Sequence, residues 1–314
     1  MKFNIKKILK RSIGEKIVYN LWDKKYSYPN TLYFECSNLC NALCVFCCYK
    51  DYKDEIDFKL MDIQLFERLI DEFVSMGGEN IALTPTMADP LTDKFLPERV
   101  RIVDASSLKK VSFYTNLISF KSSLINEIEN ISKTQLNINV SFSGLSSERY
   151  FEVMGVDKYN RVIENLKKLA AIKNPLVNKR VVIRITDKDR QFLISFERLM
   201  REIGLNYTIE DEFDSWGGKL DESLFSAGFK KKIREDGDGP CRVSFQKPLI
   251  TVEGFLKLCD CRDADNELIV CNLNELSLDR AWASDEMRDA RLRFLKKETM
   301  PSVCQKCEIY RSIY

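Results

Sequence analysis

The sequence predicts an α/β protein in which a partial (β/α)6 barrel is followed by a small cysteine-rich α+β domain. Six short apolar segments alternate with helical segments between residues 31 and 210. Such alternation is typical of parallel strands joined by right-handed crossovers. After residue 210 this rhythm is lost, and the eleven cysteines of the chain fall into two separate groups. A chain of 314 residues has room for one large domain or two moderate ones.

The predicted strands are short runs rich in β-branched and aromatic residues. They cover residues 31–36, 81–85, 111–116, 136–144, 179–186 and 206–210. A helix is predicted over residues 61–78, because its apolar residues repeat with the helical period and a glycine pair closes it. Further helices are predicted near residues 119–131, 158–172 and 189–203.

Three domains or segments are predicted: residues 1–30, a core over 31–210, and a C-terminal unit over 211–314. The C-terminal unit opens with Gly-, Asp- and Ser-rich stretches that are typical of linkers. A hairpin turning at Glu253 and Gly254 follows, and then a charged helix over residues 277–297. A unit of this size has a thin core, so we expect metal-bound cysteines to stabilise it.

The N-terminal segment is basic and amphipathic. Residues 1–30 carry eight basic and two acidic side chains, a net charge of +6 against −4 for the rest of the chain. Two hypotheses remain open: a helix packed on the protein body, or contact of residues 1–25 with anionic lipid. No apolar run is long enough to span a membrane, and the start lacks the pattern of a signal peptide. We therefore expect a cytoplasmic protein.

Composition excludes several classes of function. The sequence contains no histidine, which excludes His-based catalytic triads and His-ligated metals. The overall net charge of +2 gives no field that would attract nucleic acid, so no nucleic-acid partner is expected. An odd number of cysteines without a sign of secretion favours metal-bound thiolates over a disulfide framework.

The first cysteine group follows the first predicted strand directly. Cys40, Cys44 and Cys47 are separated by three and two residues, a spacing that can hold three corners of a cubane iron–sulfur cluster. The fourth iron then has no protein ligand, and open metal positions are where substrate chemistry occurs. Cys36 and Cys48 fall outside this pattern, and we interpret them as a buried strand residue and a bystander.

This C-x3-C-x2-C motif behind an opening strand resembles the radical S-adenosylmethionine (radical SAM) superfamily. The resemblance implies that Cys40, Cys44 and Cys47 bind a [4Fe-4S] cluster whose open iron is chelated by SAM. Cleavage of SAM would give a 5′-deoxyadenosyl radical that abstracts hydrogen from the substrate. It also implies a flavodoxin- or ferredoxin-type protein as the reductant.

Further positions resemble the family's SAM-binding segments. The stretch from Thr86 to Pro90 stands where the family has Gly-Gly-Glu, with Asp89 replacing the glutamate. Thr115 and Asn116 resemble the start of a Thr-Asn-Gly segment, with Leu117 replacing the glycine. An arginine on the fifth strand is expected to pair with the SAM carboxylate, and serines at the end of the fourth strand with the ribose. The implied SAM contacts are Phe46, Met87, Ala88, Asp89, Thr115, Asn116, Ser141, Ser143 and Arg184.

The second cysteine group lies in the C-terminal unit. Four of its thiolates, Cys241, Cys259, Cys304 and Cys307, suit either tetrahedral zinc or a complete cubane. The glycine five residues before Cys259 and the final C-x2-C resemble the SPASM family and its shorter twitch relatives, which implies an auxiliary [4Fe-4S] cluster. Cys261 and Cys271 do not fall at the family's intervals. Their presence leaves open the possibility of a second auxiliary cluster.

The leading functional hypothesis is oxidation of a hydroxyl group on a sugar or cyclitol-type substrate, free or nucleotide-linked. The cysteine spacing resembles that of the 2-deoxy-scyllo-inosamine dehydrogenase-like members of the family, in which an auxiliary cluster accepts an electron. One alternative is a peptide or protein maturase, although only about thirty residues precede the first strand, where a leader-binding domain would be expected. Another is a non-catalytic, zinc-stabilised binding protein. The residue that takes the hydroxyl proton is not identified by the sequence.

Overall fold

The computed structural model describes residues 14–185, 190–221, 223, 230–234, 239–260, 262–295 and 299–313. Among these residues, nine strands form one sheet in the order β11-β10-β9-β1-β2-β3-β4-β5-β6. Its parallel part consists of β1 (Leu32–Phe34), β2 (Asn80–Ala82), β3 (Lys110–Thr115), β4 (Gln135–Phe142), β5 (Val177–Arg184) and β6 (Asn206–Glu210). Each of these six strands pairs in parallel with the next. All six predicted strands are thereby confirmed.

Three C-terminal strands extend the same sheet. They are β9 (Leu249–Ile250), β10 (Phe255–Lys257) and β11 (Ile269–Asn272), while β7 (Glu212–Phe213) and β8 (Lys230–Lys231) form a separate pair. Strand β9 runs parallel to β1, and β10 turns back antiparallel at Gly254, which has a φ of +86°. The predicted hairpin is confirmed, and it places the C-terminal unit beside the first strand of the core. Strand β1 is therefore flanked by β2 and β9, and the sheet does not close onto β6.

The helices cover the sheet between the strands. They are α1 (Glu15–Lys25), α2 (Tyr49–Tyr52), α3 (Ile63–Ser75), α4 (Leu96–Ala105), α5 (Ser122–Asn130), α6 (Ser147–Met154), α7 (Tyr159–Ala171), α8 (Arg190–Ile203), α9 (Val243–Gln246), α10 (Leu278–Trp282), α11 (Asp285–Leu292) and α12 (Ser302–Gln305). Helix α3 shows why the sequence forms a helix there. Asp62 caps it by accepting a 2.9 Å hydrogen bond from the Leu65 N–H, and its apolar face is fully buried. No described helix is long and apolar enough to cross a bilayer.

Two helices of eight or more residues, α4 and α6, were not predicted from the sequence. In α4 a charged residue occupies a core position: Arg99 is fully buried and pairs with Asp93 at 2.6 Å, which hides the apolar period. Helix α6 is only eight residues long, capped by Ser146, and too short to give a clear pattern. The single helix predicted over 277–297 is wrong, because Ser284 interrupts it and caps α11 through the Met287 N–H.

Helix α1 packs on the C-terminal part of the chain. Its Tyr19 is buried against Phe245, and its Asp23 pairs with the buried Arg291 at 3.1 Å. Ile17 and Leu21, by contrast, point outward and are 55% and 58% exposed. Packing on the protein body is thus seen for one face of the helix. The first thirteen residues of the predicted amphipathic segment lie outside the described residues.

Candidate active site and auxiliary cysteine site

The first cysteine group lies on the loop that follows β1. Backbone hydrogen bonds connect this loop to the end of helix α6. Cys40, Cys44 and Cys47 line a single cavity at the carboxyl ends of the parallel strands. The N–H groups of Leu43 and Val45 donate 3.0 Å hydrogen bonds to carbonyl oxygens at the end of α6. Gly155 ends that helix with a φ of +69°, and a Cβ there would lie 2.3 Å from the Leu43 carbonyl oxygen. Only glycine permits this approach.

Asp89 connects the ends of β2 and β3. Its buried carboxylate accepts hydrogen bonds from the Leu91 N–H at 2.9 Å, the Asn116 N–H at 2.6 Å and the Thr115 hydroxyl at 2.9 Å. Burial raises the pKa of this carboxyl to about 6, opposed by those hydrogen bonds. The Asn116 side chain then donates a 2.8 Å hydrogen bond to Asn41 on the cysteine loop. Asn41 was not predicted, since nothing in its local sequence marks it.

Arg184 forms another wall of the cavity. Its guanidinium lies 5.1 Å from the ring centre of Phe46 and pairs with Glu210 at 3.0 Å. Its Nε atom is buried and has no hydrogen-bond partner among the described residues, and the same is true of the Thr86 hydroxyl. Both residues line the cavity. Unsatisfied buried donors are costly, so these two atoms fit a cavity that a polar ligand fills.

The remaining predicted SAM contacts divide into two groups. Met87, Ala88 and Ser141 line the cavity, as do Phe46, Asp89, Thr115, Asn116 and Arg184. Ser143 does not: its buried hydroxyl lies 2.8 Å and 3.0 Å from the carbonyl oxygens of Phe142 and Arg184. The structure therefore brings together eight of the nine predicted positions and places Ser143 behind the strand ends.

The far wall of the cavity comes from residues that the sequence did not single out. Phe213, Asp214, Trp216 and Arg262 line it. Asp214 accepts hydrogen bonds from Nε and Nη2 of Arg262 at 2.5 and 2.7 Å. The indole Nε1 of Trp216 donates a 2.8 Å hydrogen bond to the Phe46 carbonyl oxygen, which fixes this wall to the cysteine loop. Asp214 and Trp216 lie in a stretch with the composition of a linker, and Arg262 follows the predicted hairpin, so no local signal marked them.

Four cysteines of the second group converge on another cavity. Cys241, Cys259, Cys304 and Cys307 line it, and the other walls are largely apolar: Val243, Ser244, Leu258, Leu268, Phe294, Ile309 and Tyr310. Burial raises the pKa of the Cys304 thiol well above its ordinary value, and the neighbouring Cys307 and Cys241 raise it further. Binding to a cation is what makes such grouped thiolates favourable.

The two other C-terminal cysteines do not share this placement. Cys271 lies on β11, 3.8 Å from the Ser284 hydroxyl and outside the cavity lining. Cys261 lies outside the described residues. No group of three or more described Cys, Asp or Glu side chains is arranged around a single metal ion. In a cubane each cysteine binds a different iron atom, which spaces the ligands more widely.

A family model described as the radical SAM superfamily matches residues 34–196, which is more than half of the chain. The chain belongs to the radical SAM superfamily. A second model, SPASM, described as an iron–sulfur cluster-binding domain, matches residues 241–308. The two matched ranges contain the two cysteine sites, so the family and the SPASM subgroup indicated by the sequence are both confirmed.

Curated relatives of this radical SAM protein are distant. A GTP 3′,8-cyclase of Synechococcus elongatus is 25% identical over 276 residues, covering 76% of this chain and 81% of the relative. A GTP 3′,8-cyclase of Mannheimia succiniciproducens is 22% identical over 248 residues, covering 74% and 71%. Similarity at this level supports the superfamily assignment.

Solved structures show the same fold. SuiB of Streptococcus suis bound to its precursor peptide SuiA has a TM-score of 0.65 at 16% identity, covering 91% of this chain and 72% of SuiB. BtrN in complex with AdoMet and 2-DOIA has a TM-score of 0.57 at 16% identity, covering 89% of this chain and 93% of BtrN. Radical SAM enzymes act on small molecules or peptides and need a reductant.

The cofactors follow from the family and the domain match. They are a SAM-binding [4Fe-4S] cluster, SAM itself and an auxiliary iron–sulfur cluster. The residues present fit this set, because three cysteines face the cavity that holds the unsatisfied atoms of Thr86 and Arg184. The iron–sulfur description of the second domain also favours iron over the zinc alternative for the C-terminal cysteines.

Proposed function

We propose that this radical SAM enzyme oxidises a hydroxyl group of a sugar or cyclitol-type substrate to a carbonyl. The observation that carries the proposal is the convergence of Cys241, Cys259, Cys304 and Cys307 on one cavity. Four protein thiolates complete the coordination of a cubane, which favours electron transfer over substrate binding at that cluster. Oxidation of an alcohol is a reaction that needs such an electron acceptor.

The chemistry supplied by the bound groups is a 5′-deoxyadenosyl radical that takes a hydrogen atom, and an auxiliary cluster that accepts an electron. The substrate then loses one hydrogen atom from carbon, one proton from oxygen and one electron, which converts C–OH to C=O. The chain's own residues bind and orient SAM and the substrate. Arg184 and Thr86 offer buried donors to SAM, and Asp89 with Asn116 holds the strand ends that surround it.

Aromatic side chains also line this space. The rings of Phe46 and Phe213 lie 5.7 Å apart, and Trp216 is only 6% exposed. Exclusion of water protects a reactive intermediate from side reactions. The cavity walls thus combine polar groups for binding with aromatic rings that cover part of the cavity surface.

The partners remain part of the proposal. We expect a flavodoxin- or ferredoxin-type protein to reduce the SAM-binding cluster. Contact of residues 1–25 with anionic lipid stays a prediction, for which the outward-facing Ile17 and Leu21 are the described support. A peptide maturase is the competing function, since SuiB, a structural neighbour, is bound to a precursor peptide.

Anaerobic reconstitution with iron, sulfide, SAM and a strong reductant tests the proposal. Formation of 5′-deoxyadenosine is measured with panels of sugars and cyclitols, of peptides, and with GTP. We expect sugar-type substrates to raise turnover and deuterium from one carbinol position to appear in the 5′-deoxyadenosine. Label arriving only from peptides would establish the maturase instead. A Cys40→Ala variant is the inactive control, and a Cys271→Ser variant is the matched cysteine control.

A further inference from the structure

The far wall of the active-site cavity carries one ion pair with fixed geometry. Nε and Nη2 of Arg262 contact the two carboxylate oxygens of Asp214 at 2.5 and 2.7 Å. The Arg262 guanidinium also lies 4.3 Å from the ring centre of Trp216. The backbone N–H of Trp216 donates a 3.1 Å hydrogen bond to Asp214. Three donors and a stacked ring therefore hold the carboxylate in one orientation.

Asp214 and Arg262 are the hydrogen-bonding groups of this wall. Phe213 contributes an apolar ring, and the indole N–H of Trp216 is already bonded to Phe46. A carboxylate has about four acceptor positions, and three of those on Asp214 are filled by the donors just described. Among the contacts of the described residues, one position remains for a donor that enters the cavity, and a hydroxyl group supplies such a donor.

The charge of the cavity restricts what else can bind. Apart from the cysteines, its described charged lining residues are Asp89, Asp214, Arg184 and Arg262. Arg184 pairs with Glu210, and Arg262 pairs with Asp214. Each arginine thus already faces a carboxylate, and no surplus of positive charge is left among the described lining residues. A triphosphate needs several cationic or N–H donors, and the described lining does not have that composition.

We infer that the carboxylate of Asp214 anchors a hydroxyl group of an uncharged polyol ring, that Arg262 is the positioning residue for this carboxylate, and that phosphorylated substrates are disfavoured. The inference rests on the proposed function and narrows its substrate from sugars in general to unphosphorylated ones. It also separates this enzyme from the relatives named GTP 3′,8-cyclase.

Binding to the unreduced, SAM-loaded holoenzyme tests the inference without turnover. Calorimetric titrations with myo-inositol, D-glucose and GTP are compared for the wild type, Asp214→Asn and Arg262→Lys. We expect a polyol to bind the wild type more tightly than GTP. Loss of a hydrogen bond to a charged group should weaken polyol binding about tenfold or more in Asp214→Asn, with SAM affinity unchanged. Arg262→Lys should also weaken polyol binding, because a lysine lacks the planar pair of donors that fixes both carboxylate oxygens of Asp214.

Asp265→Asn is the matched control. Asp265 follows Arg262 by three residues and also forms an ion pair, with Lys219, but it does not line the cavity. Polyol affinity should be unchanged in this variant. Iron content and melting temperature identify any variant that fails to fold, and the near-isosteric Asp214→Asn is chosen to avoid that.

The outcomes separate the inference from the proposed function. Polyols could support 5′-deoxyadenosine formation while their affinity is unchanged in Asp214→Asn and Arg262→Lys. In that case the inferred role of Asp214 as hydroxyl anchor is wrong and the proposed function stands. If GTP binds more tightly than every polyol, the substrate class inferred here is wrong. If no polyol binds the wild type, the inference falls, and turnover with peptides alone would remove the proposed function as well.

Discussion

The indole Nε1 of Trp216 donates a 2.8 Å hydrogen bond to the carbonyl oxygen of Phe46, a residue 170 positions earlier in the chain. Phe46 directly precedes Cys47 of the first cysteine loop. On the other side of Trp216, the hydroxyl of Ser215 donates a 2.6 Å hydrogen bond to Glu308, which directly follows Cys307. Two adjacent residues thus connect the cysteine loops of both cluster sites.

Trp216→Phe is expected to loosen the SAM-binding loop, because it removes one hydrogen bond worth about 1 kcal/mol. Chelator-induced loss of iron from the reconstituted protein should be faster than in the wild type. Trp282→Phe is the control, since Trp282 also donates its Nε1 to a backbone carbonyl, that of Tyr26, but away from the loop. Equal rates of iron loss in the two variants would contradict the prediction.

Asp89→Asn is expected to weaken SAM binding roughly fivefold or more, equivalent to about 1 kcal/mol. In the wild type each carboxylate oxygen accepts a backbone N–H, one from Leu91 and one from Asn116. An amide has only one acceptor oxygen, so one N–H would face another donor. In Asp104→Asn, at a turn outside the cavity, two backbone N–H groups would likewise be left with only one acceptor oxygen between them. This substitution should lower stability and leave the dissociation constant of SAM unchanged.

Asp104 also allows a test of pH dependence. Burial alone raises its pKa, but N–H groups of Thr134, Ser132 and Lys133 hydrogen-bond to it, and the net pKa lies below 3.8. The unfolded chain therefore binds more protons around that pH, and the stabilisation from this carboxylate is lost as the pH falls. The difference in unfolding free energy between wild type and Asp104→Asn should narrow below about pH 4. A constant difference in urea unfolding from pH 6 to 3 would be evidence against this.

Leu117 occupies the position where the family has glycine, and its φ is +62°. The left-handed conformation costs a leucine roughly 1–2 kcal/mol, yet its side chain is fully buried in the core. Removing a buried leucine costs about 2–5 kcal/mol, which exceeds the strain. Leu117→Ala and Leu117→Gly should both destabilise the protein in urea unfolding. The glycine variant should be the more stable of the two by about 1 kcal/mol, because it also relieves the strain.

Replacement of cysteines tests the assignment of the two clusters. Cys304→Ser should remove about four iron atoms per chain by chemical analysis, the content of one cubane, and Cys44→Ser should remove a similar number from the other site. Cys271→Ser should retain all the iron, because Cys271 contacts Ser284 and does not line the cavity. Loss of iron in Cys271→Ser would indicate that this residue is a ligand after all.

Local patterns in the sequence were sufficient for much of the fold. The six parallel strands and the helix capped by Asp62 have clear periodicity, because their apolar faces are continuous. Both cysteine groups were also recognisable from short motifs: the first from its C-x3-C-x2-C spacing, the second from the final C-x2-C and the glycine five residues before Cys259. Helices α4 and α6 were missed for local reasons: Arg99 is buried at a core position of α4, and α6 is short.

The amino-acid sequence by itself determined the family, the order of the core elements and the cysteines that can bind the clusters, because each of these is marked by a short local pattern in the chain. Only the tertiary structure placed β9 beside β1 and brought Asp214, Trp216 and Arg262 into the lining of the cavity that also contains Arg184. The reason is physical: these contacts join segments far apart in sequence. They form only where the folded sheet and the C-terminal strands bring those segments together.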